Sequence, residues 1–241
     1  FGNPETPDVQ FQLTESIAGM SRAAEAFGIP IVSGNASMYN QSAGVDIFPT
    51  PIIGSLGLLE DVEKHSTVAF KSDGDVIVLL GTDSTWDSFE GIAGSEYLEL
   101  IHGRVEGQPS IDLDLEIRTQ AVCREAIAAD LVASGHDVSD GGVAVAIAES
   151  AIIGGLGAVI DESPGDRWDA AMFGESQSRI LLSVSSDNVS AVESLAEASN
   201  VPMKIVGTVG GSALKFGDSI STPLVEADDS WKNGFLRATS D

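Results

Sequence analysis

The chain has 241 residues, and its 12 Lys and Arg stand against 37 Asp and Glu, a formal charge of −25. So few basic side chains argue against a nucleic-acid backbone or an anionic lipid surface as partner, since both need a basic patch. Apolar residues make up 43%, too many for a disordered chain, and no apolar run reaches the ~18 residues of a membrane span. The start, Phe1-Gly2-Asn3-Pro4-Glu5-Thr6-Pro7, lacks the basic and apolar regions of a secretory signal. The single cysteine, Cys123, allows neither an intrachain disulfide nor a cysteine-built metal site. A cytoplasmic, reducing compartment is the simplest expectation. The acidic excess also suits hydration in strong salt. A halophile-like composition and an ordinary acidic cytosolic protein both fit it.

Apolar residues at Leu13, Ile17, Met20, Ala24 and Phe27 predict a helix over 7–27, stopped by Gly28 and Pro30. Segments 29–33, 51–59 and 75–80 read as buried strands. Residues 81–109 are glycine-rich and irregular, the best place for a domain boundary. A helix is expected over 114–134, ended by Gly135, then a tight polar turn over 136–142 and a small-residue helix over 143–153. Strands at 156–160, 179–184 and 203–209 follow, with a helix over 187–198 inside the last pair. Strand, helix, strand suggests an α/β layer built on a crossover. A short strand at 213–216 and a helical turn at 231–236 complete the pattern.

Four loops carry chemistry-bearing residues. Ser33-Gly34-Asn35-Ala36-Ser37 follows a strand and offers close backbone approach with side-chain oxygens for phosphate or hydrated Mg²⁺. Alone the motif is weak, an ordinary strand-to-turn connection being the simpler explanation, and no Gly-Lys-Ser/Thr makes it a Walker loop. His136-Asp137-Val138-Ser139-Asp140-Gly141-Gly142 places two carboxylates before a helix. They suit a hard cation, or one of them caps that helix. His136 is either a general base or structural. Phe173-Gly174-Glu175-Ser176-Gln177-Ser178-Arg179 is a polar cluster able to grip a sugar phosphate, or a solvated turn with a Glu175–Arg179 pair. Gly91-Ile92-Ala93-Gly94-Ser95-Glu96-Tyr97-Leu98 enters a helix and reads as an anion site or a hinge. Residue chemistry alone leaves a globular α/β or α+β protein suited to phosphate and Mg²⁺, with no reaction named.

Taken in order, Phe1-Gly2-Asn3-Pro4-Glu5, Ser33 through Asn40, Pro49-Thr50-Pro51, Gly94 through Leu98, the 136–142 turn and Phe173-Gly174-Glu175-Ser176 resemble the C-terminal part of the small form of phosphoribosylformylglycinamidine synthase. The resemblance runs from residue 1 to about residue 235. Aminoimidazole ribonucleotide synthetase, selenophosphate synthetase and thiamine-monophosphate kinase share the superfamily and something like the 136–142 turn. They are not expected to carry the first two motifs together.

The resemblance implies a layered α+β, α/β fold. A truncated ATP-binding domain (1–85) is followed by a linker (86–94) and a complete C-terminal domain of the aminoimidazole ribonucleotide synthetase type (95–241). It implies an ATP-dependent ligase of purine biosynthesis that activates the formamide oxygen of formylglycinamide ribonucleotide as an iminophosphate, which ammonia then displaces. The ammonia would come from a glutaminase subunit, with a small accessory subunit assisting. ATP and Mg²⁺ are the implied cofactors. Gly34 is implied for ATP contact, Asn35 for Mg²⁺ and Ser37 for the nucleotide substrate. No catalytic residue falls in this sequence. Asp137, Asp140, Glu175, Ser176 and Gln177 duplicate positions used in the family's first half and are the weaker candidates. A chain missing strands of its first domain would expose sheet edges and self-associate and be inactive alone. The alternatives are a non-catalytic nucleotide-binding module and another enzyme of the superfamily.

Overall fold

The computed structural model describes residues 1–81, 88–160 and 167–240. The chain divides into two compact units, Phe1–Glu60 and Asp61–Asp241.

The first unit opens with α1 (Pro7–Phe27). Pro7 sits where a missing N–H costs nothing. Gly28 ends the helix with φ 64, its N–H bonding the Glu25 carbonyl while that of Ile29 returns to Ala24, a left-handed cap open to glycine. Two short antiparallel strands follow, β1 (Gln41–Ser42) and β2 (Val45–Asp46), joined through Ala43 and Gly44 at φ 51 and 81. That is the left-handed pair a two-residue hairpin needs. Segments 29–33 and 51–59, expected as strands, form none. Their apolar residues are exposed, and no described residue pairs with them; a strand without a ladder partner has nothing to hold it.

The second unit is a seven-stranded sheet with helices on both faces. In chain order it runs β3 (Val76–Leu80), a 3₁₀ turn (Phe89–Ile92), α2 (Glu96–His102), α3 (Leu113–Ala128), β4 (Ser134–Asp137), α4 (Gly142–Gly154), β5 (Ala158–Ile160), α5 (Trp168–Phe173), β6 (Ile180–Val184), α6 (Val189–Ala198), β7 (Met203–Val209), β8 (Ala213–Phe216), β9 (Ile220–Pro223) and α7 (Leu224–Ala238). The strand order is β4-β6-β3-β7-β5-β8-β9. Strands β6 and β7 both pair antiparallel with β3. They are therefore parallel to each other, and α6 is the crossover between them, with β3 inserted in the middle. The expected strand–helix–strand unit is present in this split form.

The strand β3 is Val-Ile-Val-Leu-Leu, apolar at every position, as a strand buried on both faces must be. Ile77 and Leu79 face a cluster with Val143, Ile147 and Ala151 of α4 and Met172 of α5. Val78 and Leu80 face the other side, with Val122 of α3 and Val192 and Ala196 of α6. Cys123 packs at the edge of this second cluster, and burial pushes its thiol pKa up, away from the reactive thiolate.

The two compact units meet at Glu60/Asp61, with β3 at the centre of the second unit's sheet; the linker was expected at 86–94. Residues 86 and 87 of the expected linker lie outside the described residues. The helix expected to Ser134 stops at Ala128, where Asp130 turns left-handed at φ 57. Ser134–Asp137 is then drawn into the sheet as β4, pairing Ser134 with Ser183 and Asp137 with Ile180. The terminal turn at 231–236 is part of the longer α7, and α5 and β9 lie where no element was expected.

Asp75, at the entrance to β3, is buried, and its Oδ2 meets no partner. Burial raises its carboxyl pKa. The folded state thus binds this proton more tightly than the unfolded chain, so the group favours folding at low pH. That benefit is lost as pH rises from about 4 through the raised folded value. Asp75→Asn should raise the melting temperature by roughly 2–4 °C at neutral pH and change it little near pH 3, where the carboxyl is already protonated. Thermal melts across pH check this; an equal gain at both ends would show that charge burial is not the cause.

Candidate functional site

In the first unit, the N-terminal pentapeptide is tied to the loop that follows α1. The Phe1 carbonyl accepts from the Asn40 backbone N–H at 3.2 Å and its side-chain amide at 3.1 Å, and the Gly2 carbonyl from Tyr39 N–H at 2.8 Å. Asp46 Oδ1 accepts from Asn3 N–H at 3.3 Å and the Gln41 amide at 2.9 Å. A β-carbon on Gly2 would strike Asp46, so this glycine is dictated by packing. Within the loop, the Ser37 hydroxyl accepts from the Asn40 amide at 3.0 Å. Gly34 and Asn35 are exposed, and among the described residues no hydrogen bond engages the Asn35 side chain. At Gly34 a β-carbon would meet nothing within 4 Å. Among the described residues, therefore, no neighbour demands glycine at that position, in contrast to Gly2.

In the second unit, three segments distant in sequence meet at Glu175. Its Oε1 accepts from Gly141 N–H at 2.8 Å and from Glu96 N–H at 3.0 Å, while its own N–H donates to the Gly91 carbonyl at 3.0 Å. One carboxylate thus satisfies donors at the starts of α2 and α4, which helices otherwise leave open. Next to it, Gly142 has φ 71, and a β-carbon there would lie 2.5 Å from the Gly174 carbonyl oxygen and 2.7 Å from that of Met172. Arg179 is buried and donates to the Ser176 carbonyl at 3.0 Å and the Gly174 carbonyl at 2.6 Å. The Gln177 amide donates to the Glu175 carbonyl at 3.2 Å. Ser178 is held at φ 67, strain that a non-glycine residue keeps only when its surroundings determine it.

Asp137 and Asp140 are exposed. Neither caps α4, whose N-cap is Gly141 without a side-chain bond; Glu175 meets that end instead. His136 Nε2 lies 3.0 Å from Glu149 Oε2, and Nδ1 lies 3.4 Å from Asp137 Oδ1. Glu149 was invisible to motif reading, because its link to His136 spans a strand and a helix. Among the described residues no group of three or more His, Cys, Asp or Glu is close enough to hold a metal ion. An aromatic cluster supports the loop: Tyr97 stacks on Phe173 with centroids 5.1 Å apart, and Trp168 meets Phe173 edge-on at 6.1 Å.

Glu175→Ala should destabilise the second unit by about 1–3 kcal/mol, because it strands the Gly141 and Glu96 donors. Glu175→Gln should recover at least half of that, since its amide oxygen still accepts. Urea denaturation of the three proteins tests this; equal losses for both variants would assign the effect to charge, not to the clasp.

Residues 72–217 match the family described as AIR synthase related protein, C-terminal domain. The chain is similar to phosphoribosylformylglycinamidine synthase subunit PurL of Moorella thermoacetica, 44% identical over 215 residues, covering 89% of this chain and 29% of that protein. It is 41% identical to the subunit of the same name from Anaeromyxobacter sp. (strain Fw109-5), covering 97% and 31%. Thermotoga maritima PurL complexed with FGAR has a similar fold, with TM-score 0.66 and 18% identity over 87% of this chain and 36% of that one. The PurLQS structure from the same organism gives 0.63, with 18% identity over 86% and 34%. The chain spans less than a third of the length of the curated relatives named above. With the family match extending over more than half of its residues, the chain belongs to the AIR synthase related proteins, whose C-terminal domain it carries.

Proposed function

We propose that this chain is the C-terminal portion of phosphoribosylformylglycinamidine synthase, the ATP-dependent carbon–nitrogen ligase of purine biosynthesis. The full enzyme converts formylglycinamide ribonucleotide, ATP and glutamine-derived ammonia to the amidine, ADP and phosphate. The observation that carries this is the 44% identity to a PurL subunit across 89% of the chain, over both units. The partners that follow are a glutaminase subunit and a small accessory subunit. The compartment is the cytoplasm; among the described residues no helix is long and apolar enough to cross a membrane.

Within this reading Gly34 lets ATP approach the backbone, and its lack of any steric reason to be glycine supports that role. Ser37 contacts the substrate, its hydroxyl oriented by Asn40. Asn35 offers one amide oxygen to Mg²⁺. One oxygen does not fit the six-ligand shell of that ion, so the residues here do not form a Mg²⁺ site by themselves. In the second unit Glu175 is occupied by the clasp, so this loop serves as scaffold rather than as a phosphate grip. Asp137 and Asp140 remain exposed candidates.

The first unit bears on how the chain behaves alone. Of residues 1–60 only Gly2 and Val9 are buried, and Val32, Phe48, Ile52, Leu56 and Leu58 are each at least 86% exposed. Such a surface needs a cover. The isolated chain should form no amidine from ATP, substrate and ammonia, whereas the full-length enzyme should. It should also self-associate more as salt screens its charge of −25. A monomer by light scattering at every salt concentration, or turnover by the isolated chain, would overturn these expectations. In the full-length enzyme Asn35→Ala should weaken Mg²⁺ dependence at least about tenfold, with Asn35→Asp retaining it; equal Mg²⁺ titrations would remove Asn35 from the site.

A further inference from the structure

In the first unit the segment 37–40 is clamped to residues 1 and 2. The Phe1 nitrogen donates to the Ser37 carbonyl at 3.0 Å, Tyr39 N–H to the Gly2 carbonyl at 2.8 Å, and Asn40 N–H to the Phe1 carbonyl at 3.2 Å. The Asn40 carbonyl accepts from Ile47 N–H at 3.2 Å, at the root of the β1–β2 hairpin. Tyr39 sits among these anchors at φ 61, a left-handed conformation that a bulky residue keeps only where its surroundings determine it. The backbone at Asn40 is therefore held at both its N–H and its carbonyl without help from the side chain.

That side chain has a different task. Its Nδ2 lies 3.1 Å from the Phe1 carbonyl oxygen and 3.0 Å from the Ser37 hydroxyl oxygen. A carbonyl oxygen only accepts, so the atom facing Phe1 has to be the amide nitrogen, and this settles which way the amide points. Both N–H groups of the amide are then in use, one on Phe1 and one on Ser37. The opposite exchange, from the Ser37 hydroxyl to Asn40 Oδ1, spans 3.4 Å, longer than the roughly 2.5–3.0 Å of a good O–H···O bond. Among the described residues the hydroxyl meets no other partner, and Ser37 is exposed. With its oxygen engaged as acceptor by Asn40, Ser37 keeps its proton for an acceptor outside the chain.

We propose that Asn40 is a positioning residue that presents the Ser37 hydroxyl to the substrate as a hydrogen-bond donor. The group it meets is thereby an acceptor oxygen, such as that of a phosphate or an amide carbonyl. This role rests on the reading of Ser37 as a substrate contact, and adds the direction of the bond and the residue that sets it. A hydroxyl oriented before the substrate arrives loses less freedom on binding. Asn40→Asp reverses the arrangement, because a carboxylate only accepts and draws the Ser37 proton inward. Asn40→Ala leaves the hydroxyl free to rotate.

Steady-state kinetics of the full-length enzyme test this. The KM for formylglycinamide ribonucleotide and the KM for ATP are measured for Ser37→Ala, Asn40→Ala, Asn40→Asp and the double variant Ser37→Ala/Asn40→Ala. Ser37→Ala should raise the KM for the nucleotide substrate about tenfold, Asn40→Ala about fivefold and Asn40→Asp about tenfold or more. The KM for ATP should stay within about twofold, since a lost hydrogen bond to one ligand leaves the other's contacts in place. In the double variant the substrate KM should match that of Ser37→Ala alone, because Asn40 acts through Ser37. If Asn40→Asp loses its cooperative thermal melt, Asn40→Ala and the double variant decide the question. An unchanged substrate KM in the Asn40 variants, effects that add in the double variant, or a KM for ATP raised as much as that for the nucleotide would each overturn the role of Asn40 while leaving Ser37 in place. A Ser37→Ala enzyme with an unchanged substrate KM would instead remove Ser37 from the substrate site, and Asn40 with it.

Discussion

The second unit depends on one constraint: the four residues Ile77–Leu80 of β3 must be dry on both faces. No side of β3 can face water, so helices must cover the sheet from two directions, and neighbouring strands must satisfy its backbone on both edges. The paired strands β6 and β7 meet the second demand. The first is met by α4 and α5 on one face and by α3 and α6 on the other. The small residues of α4, Gly142, Ala144, Ala146, Ala148, Ala151 and Gly154, let its backbone come close to the sheet; Gly154 lies against the Phe70 backbone, where a β-carbon would not fit.

Once those layers are set, their connections converge beyond the end of β3, and Glu175 organises them. One carboxylate oxygen there closes two helix starts, and glycine at 142 lets the 172–174 backbone approach. The same residue is thereby withdrawn from ligand chemistry through that oxygen. A loop whose composition resembles a phosphate-gripping sequence thus becomes a structural clasp through its three-dimensional neighbours.

The first unit shows the opposite situation. Its helix is well formed locally, with proline at the start and a glycine cap at the end, and its polar loop is tied back across the helix to Phe1 and Gly2. Yet it has almost no core. Local signals suffice for α1 and for the 41–46 hairpin, whereas the apolar segments on either side of the hairpin require a ladder and a facing layer.

How much was legible follows from the range of the forces involved. Periodicity located α1, α4 and α6, because amphipathic or small-residue spacing and capping are local. Apolar-rich stretches identified β3, β6 and β7 for the same reason. The ordered loops also pointed to the family the comparisons established. What local chemistry missed was set by partners far along the chain. Ser134–Asp137 became a strand because β6 lies beside it. Val76–Leu80 joins the later sheet because β6 and β7 flank it. Glu149 met His136 only through the packing of α4 on β4. The sequence by itself determined the composition of the layers, the loop chemistry and the family. Only the tertiary structure decided which carboxylates are spent on helix ends and which remain open, because that depends on backbone donors brought together from residues 96, 141 and 175.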